Sequence, residues 1–290
     1  MPKINKKIPL ISVCWLLTSN CNYKCGFCFK VVSKRDLYYN EAEKILKKIA
    51  KYGVKKISFS GGEPLLWTGT IDLIRAAKSY GMITMLITNG SLISNKEING
   101  FNGILDWLTL PLDGSSDKKQ QLAGRKKNHY TNTVNLLKLL KNTQIKTKIN
   151  TVFSKRNWDD MENIFGIIKK YNIKRWKIFQ FNPIRFSGLK NKKKYMTTKA
   201  KFEQIKKKIL SLVDNDKISV YFGSVRDQEE SYFTIAPDGT VYVSKNNKDL
   251  FIGDLKVNEM EDIWMKNRII KKEKYWQRAK WILNQRRNNI

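Results

Sequence analysis

Asn20-Cys21-Asn22-Tyr23-Lys24-Cys25-Gly26-Phe27-Cys28-Phe29-Lys30 puts three cysteines on one short segment, separated by three residues and then by two. Thiolates at this spacing point to a metal rather than to a disulfide framework. A structural zinc ion is normally closed by four ligands, and the fourth cysteine, Cys14, lies upstream inside an apolar run. Three ligands leave one metal position open. An iron–sulfur cluster held by cysteine thiolates with one free iron can bind and reduce a small molecule, so the segment reads as chemistry more than as a clip.

The chain around it alternates. Leu10 to Leu17 reads as a buried strand leading into the cysteine loop, and Cys14 reads as a small core residue in it. Asn40 to Tyr52 reads as a helix with Asn40 as N-cap and Gly53 as its stop. Further strands are expected at 56–59, 82–88, 105–112, 146–153 and 175–181, with helices at 71–80, 95–101, 131–141 and 158–171 between them. Alternating strands and helices imply a parallel sheet. Six strands are fewer than a closed barrel needs, so the expectation is an α/β fold with a partial, open-sided (βα)6 barrel over residues 1–183 and a C-terminal extension over 184–290. In the extension, 185–196 reads as a basic loop, 199–213 as a helix and 218–222 as a strand. A hairpin at 232–235 and 240–243 turns through Ala236-Pro237-Asp238-Gly239, and the last thirty residues read as helical.

The polar signatures fall where strands end: the cysteine loop, Ser60-Gly61-Gly62-Glu63-Pro64, Thr88-Asn89-Gly90-Ser91 and Asp113-Gly114-Ser115. In parallel sheets that edge carries the active site. The 290 residues carry 56 Lys and Arg against 25 Asp and Glu, a formal charge of +31. A basic surface attracts nucleic acid, but these lysines recur evenly along the outer faces of helices, the pattern of solvated faces, and nucleic acid is the weaker reading. Anionic substrates are drawn in either way. His129, the single histidine, has polar flanks and reads as a loop residue near the pocket. No apolar run is long enough to span a membrane, and the lysine-containing start runs straight into the cysteine loop, where signal cleavage would be destructive. The expected location is the cytoplasm.

The order Cys21, Cys25, Cys28 with Phe27 before the third cysteine, followed by Gly61-Gly62-Glu63-Pro64, resembles radical S-adenosylmethionine enzymes. That resemblance implies a 4Fe-4S cluster on the three cysteines and S-adenosyl-L-methionine on its open iron. It implies further that Gly61, Gly62 and Glu63 hold the methionine amino group, that Phe27 lies near adenine, and that Asn89 and Ser91 lie on the ribose side. The match narrows: CNYKCGFCF, KKISFSGGEP, TNGSL, KKNH, KIN, RWKIFQ and ESY, in this order, resemble the viperin family and its prokaryotic branch. Viperins remove the 3′-hydroxyl of a ribonucleoside triphosphate to leave a 3′,4′-double bond, which makes an antiviral chain terminator. The resemblance implies CTP, UTP or GTP as substrate and an electron donor such as flavodoxin or ferredoxin. It makes Lys148, Lys177, Lys245 and Arg125 phosphate candidates, with Ser60 and Asn150 as polar partners and Tyr232 or Lys245 as the acid for the departing hydroxyl. Many viperins carry Asn where Cys14 stands and His where Leu16 stands, which leaves the base preference open. The amphipathic membrane helix of the animal proteins has no counterpart here. Two other readings stand beside this one: another radical enzyme acting on RNA or a peptide, and a metal-clip nucleic-acid binder.

Overall fold

The computed structural model describes residues 8–213 and 218–283. Six strands, Ser12–Leu16 (β1), Lys56–Ser60 (β2), Ile83–Ile87 (β3), Trp107–Pro111 (β4), Lys146–Phe153 (β5) and Arg175–Gln180 (β6), lie side by side in chain order. All five pairings between them are parallel. Helices follow each strand and cover the outer face, as the alternation predicts. The sheet then runs past the expected six. Ser219–Gly223 (β7) adds a parallel strand to β6, and at the other edge Thr234–Ile235 (β8) pairs parallel to β1. Thr240–Lys245 (β9) and Lys248–Asp254 (β10) continue antiparallel from β8. The ten-stranded order ends on β10 and β7, which leaves the barrel open on one side.

Alternation within the strands decides which residues face which layer. In β2, Ile57 and Phe59 are fully buried in the large apolar core under the helices, while Lys56, Ser58 and Ser60 occupy the opposite face. In β5, Ile149 and Phe153 join that core, and Lys148 and Asn150 face the other way. The helix Tyr39–Lys51 seals its part of the core with Ala42, Ile45, Leu46 and Ile49, each large aliphatic side chain contributing about 1.5–3 kcal/mol by burial.

Several boundaries differ from the sequence expectation for identifiable reasons. The first helix starts at Tyr39 and not after Asn40, because the Glu41 carboxylate accepts the Tyr38 N–H at 2.9 Å and holds the turn one residue earlier. Gly53 does end it, at φ 89°. The stretch 185–196 is no loop: it forms the short helices Arg185–Lys190 and Lys192–Tyr195. A helix missing from the sequence reading, Asp117–Ala123, is capped by Ser116, whose hydroxyl accepts the Lys119 N–H at 3.2 Å. The strand β10 was also missed. It returns from β9 through Asn246 and Asn247, both left-handed (φ 50° and 60°), a backbone asparagine tolerates in tight hairpin turns. The C-terminal segment contains helices Met260–Lys266 and Lys272–Ala279, and residues 284–290 of the expected helical tail lie outside the described residues. Among the described residues no helix is long and apolar enough to cross a membrane.

Candidate active site

The cysteine loop is stitched to the sheet by its neighbours' backbones. Gly62 N donates to Thr18 O and Glu63 N to Asn20 O, each at 2.7 Å, so the loop after β2 lies directly against the chain entering the cysteines. A Cβ on Gly62 would collide with the Asn20 carbonyl, which is why glycine stands there. The Glu63 carboxylate is fully buried and faces inward. It accepts the Thr88 hydroxyl at 2.6 Å, the Asn89 N–H at 2.7 Å and the Leu65 N–H at 3.2 Å. Burial pushes its pKa up, against the pull of those hydrogen bonds. In this geometry Glu63 locks the ends of β2 and β3 together, a structural task beyond the amino-group contact that the resemblance implied. Asn22, within the cysteine loop, was not singled out by the sequence. It donates to Ser91 Oγ at 2.9 Å and accepts from Asn89 Nδ2 at 2.8 Å, which brings Asn89 and Ser91 to the cysteines.

Arg125 is the largest correction. It does not join the other phosphate candidates. Its Nε pairs with Asp113 at 2.6 Å, with the two side chains 12% and 0% exposed, its Nη1 lies 3.5 Å from Cys25 Sγ, and its guanidinium sits 4.8 Å from the centre of the Phe27 ring. Burial opposes its charge, but Asp113, with Cys25 beside it, outweighs that and holds it firmly protonated. Phe27 is buried edge-on against Tyr195 at 5.6 Å. Burial also pushes the thiols of Cys21, Cys25 and Cys28 up. His129 is no loop residue: it is fully buried at the start of the helix His129–Leu140, 5.6 Å from the Tyr23 ring, and burial lowers its pKa to about 3.

Inside the barrel the chemistry changes. Strand register places Ser12 beside Lys56, Cys14 beside Ser58, Thr109 beside Lys148, Lys148 beside Arg175, and Asn150 beside Lys177, which neighbours Tyr221. Lys56, Lys148, Arg175 and Lys177 are all buried, and among the described residues none has a carboxylate ion-pair partner. Lys148 Nζ approaches only Met85 Sδ, at 4.0 Å, and Lys177 Nζ lies 4.8 Å from the centre of the Tyr221 ring. Burial lowers the pKa of Lys56 to about 7, with Arg278 adding repulsion. Lys148 and Lys177 are driven down by burial and by their basic neighbours, and burial takes Arg175 to about 10. Lys56 Nζ reaches Ser12 Oγ at 3.5 Å and Arg175 Nη1 donates to Ser219 Oγ at 2.8 Å, but these neutral partners supply no negative charge, and desolvated cations without one are costly and fit a site completed by an anion.

The floor and wall of this lumen come from the C-terminal segment. The Arg175 guanidinium stacks 4.1 Å from the centre of the Trp281 ring, which also meets Trp107 edge-on at 5.5 Å. Arg278 lies 3.7 Å from the centre of the Tyr232 ring, and burial pushes the Tyr232 phenol up. Tyr232 lies near Cys14, Arg175 and Tyr221, the last of which pairs with Lys177 across the strands. Lys245 does not join this group. It is 41% exposed on β9 and ion-paired with Glu230 at 2.9 Å. Cys14 is half-buried against the small apolar cluster of Leu16, Val31 and Ala236, its thiol is pushed up by burial, and Lys56, Arg278, Lys148 and Lys177 are the charges around it. Among the described residues the side-chain oxygen of Asn150 is buried without a partner. Lys56, Arg175 and Arg278 were not picked out as site residues. The signal for the first two was a basic residue in strand register with apolar alternates, but nothing local marks Arg278.

A parallel sheet with a cluster of buried basic residues on one face and three thiols where its first strand ends is the arrangement a family assignment has to account for. The family model described as the Radical SAM superfamily matches residues 15–168, and the chain belongs to that superfamily. Membership implies a 4Fe-4S cluster and S-adenosylmethionine, and the donor set fits them. Among the described residues no three His, Cys, Asp or Glu converge as for a single metal ion, whereas cluster thiolates that each bind a different iron need not share one point.

The chain is similar to the S-adenosylmethionine-dependent nucleotide dehydratases of Lacinutrix mariniflava (35% identity over 192 residues, 62% of this chain and 40% of that protein) and Flammeovirga pacifica (34% over 197, 62% and 65%). The Thermoplasmatales archaeon protein of the same name is 26% identical over 234 residues, 80% of this chain and 82% of that protein. The matched stretch therefore spans less than two thirds of the first two relatives' length. Among solved structures, Streptococcus suis SuiB bound to S-adenosylmethionine has a TM-score of 0.70 at 16% identity, over 93% of this chain and 68% of that one. The enzyme anSMEcpe with bound AdoMet has a TM-score of 0.72 at 16% identity, over 94% and 87%. At these identities the likeness is one of fold.

Proposed function

We propose that the chain is a radical S-adenosylmethionine nucleotide dehydratase of the viperin type, converting CTP, UTP or GTP to its 3′-deoxy-3′,4′-didehydro analogue. The observation that carries this reading is the acid-free group Lys56, Lys148, Arg175 and Lys177, buried below the cysteine loop. A triphosphate supplies the negative charge those side chains lack. The names of the similar dehydratases support the same substrate class. Bound at the mouth, the cluster and S-adenosylmethionine supply a hydrogen-abstracting adenosyl radical.

The chain's own residues do the rest. Lys148 and Lys177 grip the phosphates, with Arg175 and Lys56 at the floor, so the sugar lies nearer the cysteine loop. Asn150, whose carbonyl oxygen has no protein partner, accepts a hydrogen bond from the nucleoside. Over the reaction the ribose gives up its 4′ hydrogen atom, and the 3′-hydroxyl leaves as water after one electron and one proton are added. Tyr232 is the proton donor of this scheme: burial keeps its phenol protonated, and Arg278 fixes its ring. In this reading residues 1–183 form the catalytic barrel and 184–290 complete the pocket. The four free thiols fit a reducing cytoplasm.

The test is anaerobic turnover of the reconstituted protein with S-adenosylmethionine, dithionite and a panel of 4′-deuterated CTP, UTP, GTP and ATP. Deuterium should enter 5′-deoxyadenosine, and one nucleotide should lose the mass of water. Nucleotide-independent formation of unlabelled 5′-deoxyadenosine would sink the proposal in favour of a peptide or RNA substrate.

A further inference from the structure

Phe29 directly follows Cys28, yet its side chain is 58% exposed. Its carbonyl oxygen accepts from Arg185 Nη1. The same guanidinium holds the Asp249 carboxylate through Nε at 2.6 Å and Nη2 at 2.9 Å. One arginine therefore ties the cysteine loop to β10 and to the helix Arg185–Lys190. That clasp gathers two more uncovered rings: Phe186, next to the arginine and 79% exposed, and Phe251, two residues beyond Asp249 along the strand and 58% exposed. Asn191 Nδ2 donates to Gly26 O at 3.0 Å, which pins the neighbouring basic segment to the cysteine loop as well. Lys190, Lys192 and Lys193 of that segment are exposed, and 185–196 contains no acid. Asp249, the nearby carboxylate, is already neutralised by Arg185.

An apolar patch with a basic rim, covalently next to a cluster ligand, has the layout of a transient interface. Electron-transfer encounters are small, below about 1,200 Å², so three rings and a few lysines suffice. The net charge of +31 argues against a second copy as the occupant and for a partner of opposite sign. We propose that this patch, centred on Phe29, Phe186 and Phe251, docks an acidic one-electron carrier protein with a flavin or iron–sulfur group. One electron leaves the carrier and enters the cluster beside Cys28, so the carrier is oxidised and the cluster reduced by one. The inference rests on the superfamily's cluster being bound at the three cysteines.

The experiment follows bleaching of the reconstituted full-length protein in a stopped-flow instrument, with either acidic flavodoxin hydroquinone or dithionite as reductant. Lys190→Glu/Lys192→Glu/Lys193→Glu should slow reduction by flavodoxin at least tenfold at low salt and remove most of its salt dependence, with the dithionite rate unchanged. Phe186→Ser should slow the flavodoxin reaction at high salt as well. Unchanged flavodoxin rates in both variants would overturn the proposal. So would a Phe186→Ser change confined to oligomeric state or to RNA binding. If dithionite produced no bleaching in the wild type, the cluster reading itself would fail, and the docking proposal with it.

Discussion

The mouth of the barrel and its interior handle buried charge in opposite ways. At the mouth the two buried charged groups are answered: Arg125 by Asp113 at 2.6 Å, and Glu63 by three hydrogen-bond donors. In the interior Lys56, Lys148, Arg175 and Lys177 face one another without an acid, and Asn150 keeps a buried oxygen unmatched. The mouth is complete as protein and holds a rigid loop in place. The interior is left incomplete at a cost to the free protein, and a bound polyanion would relieve that cost.

Breaking the mouth should have the largest effect. A Cys21→Ala/Cys25→Ala/Cys28→Ala variant is expected to lose iron–sulfur absorbance and all 5′-deoxyadenosine formation, while calorimetry still finds nucleotide binding within a few-fold of wild type. Loss of nucleotide binding in the same variant would show that the two regions are one site. Breaking the interior should do the reverse. Lys148→Met/Lys177→Met should weaken triphosphate binding about 100-fold or more, at about 1.5–3 kcal/mol for each charge-assisted bond, and should leave reconstituted cluster absorbance intact. The same double variant should melt higher than wild type when free of ligand, since it removes unpaired buried charge. Asp113→Asn tests the opposite sign. Leaving Arg125 unanswered should lower unfolding free energy by about 3–5 kcal/mol in chemical denaturation, and an unchanged midpoint would mean the pair at the mouth is dispensable.

The smallest expected effect is a pH dependence. Lys56 has a folded pKa of about 7, below its unfolded value, so the unfolded chain binds more protons across that window. Ligand-free stability should therefore fall as pH drops from the ordinary lysine range toward 7, and recover as it rises. A triphosphate raises that pKa again, and with it those of Lys148 and Lys177, which burial also lowers, so binding at pH 8 should take up protons from buffer. Calorimetry in buffers of different ionisation heat measures this directly, and no uptake would place the phosphates away from all three lysines.

The mouth was legible because each of its parts is local. Three cysteines within one loop, glycines before Glu63 and the Thr88-Asn89-Gly90-Ser91 turn each mark a strand end by composition alone. The interior was half legible. Lys148 and Lys177 stood out through their flanks, but Arg125 was assigned to them because charge alone does not tell a phosphate ligand from the partner of Asp113. Lys245 failed for the same reason: Glu230, which engages it at 2.9 Å, is distant in sequence. Arg278 and Trp281 close the lumen from the far end of the chain, and only tertiary packing says that they do.

That far end is also fastened to the first strand. The hydroxyl of Tyr275 accepts the N–H groups of Ile11 and Ser12 at 2.8 and 2.7 Å and donates to the Ser12 carbonyl at 3.1 Å. These groups stand at the entry to β1, and their partner lies 264 and 263 residues further along the chain. Without Tyr275 these groups would have water in place of the phenol, and burying them would leave them unpaired. A chain truncated before Tyr275 is therefore expected to leave the base of the barrel open, which faster proteolysis at β1 would show.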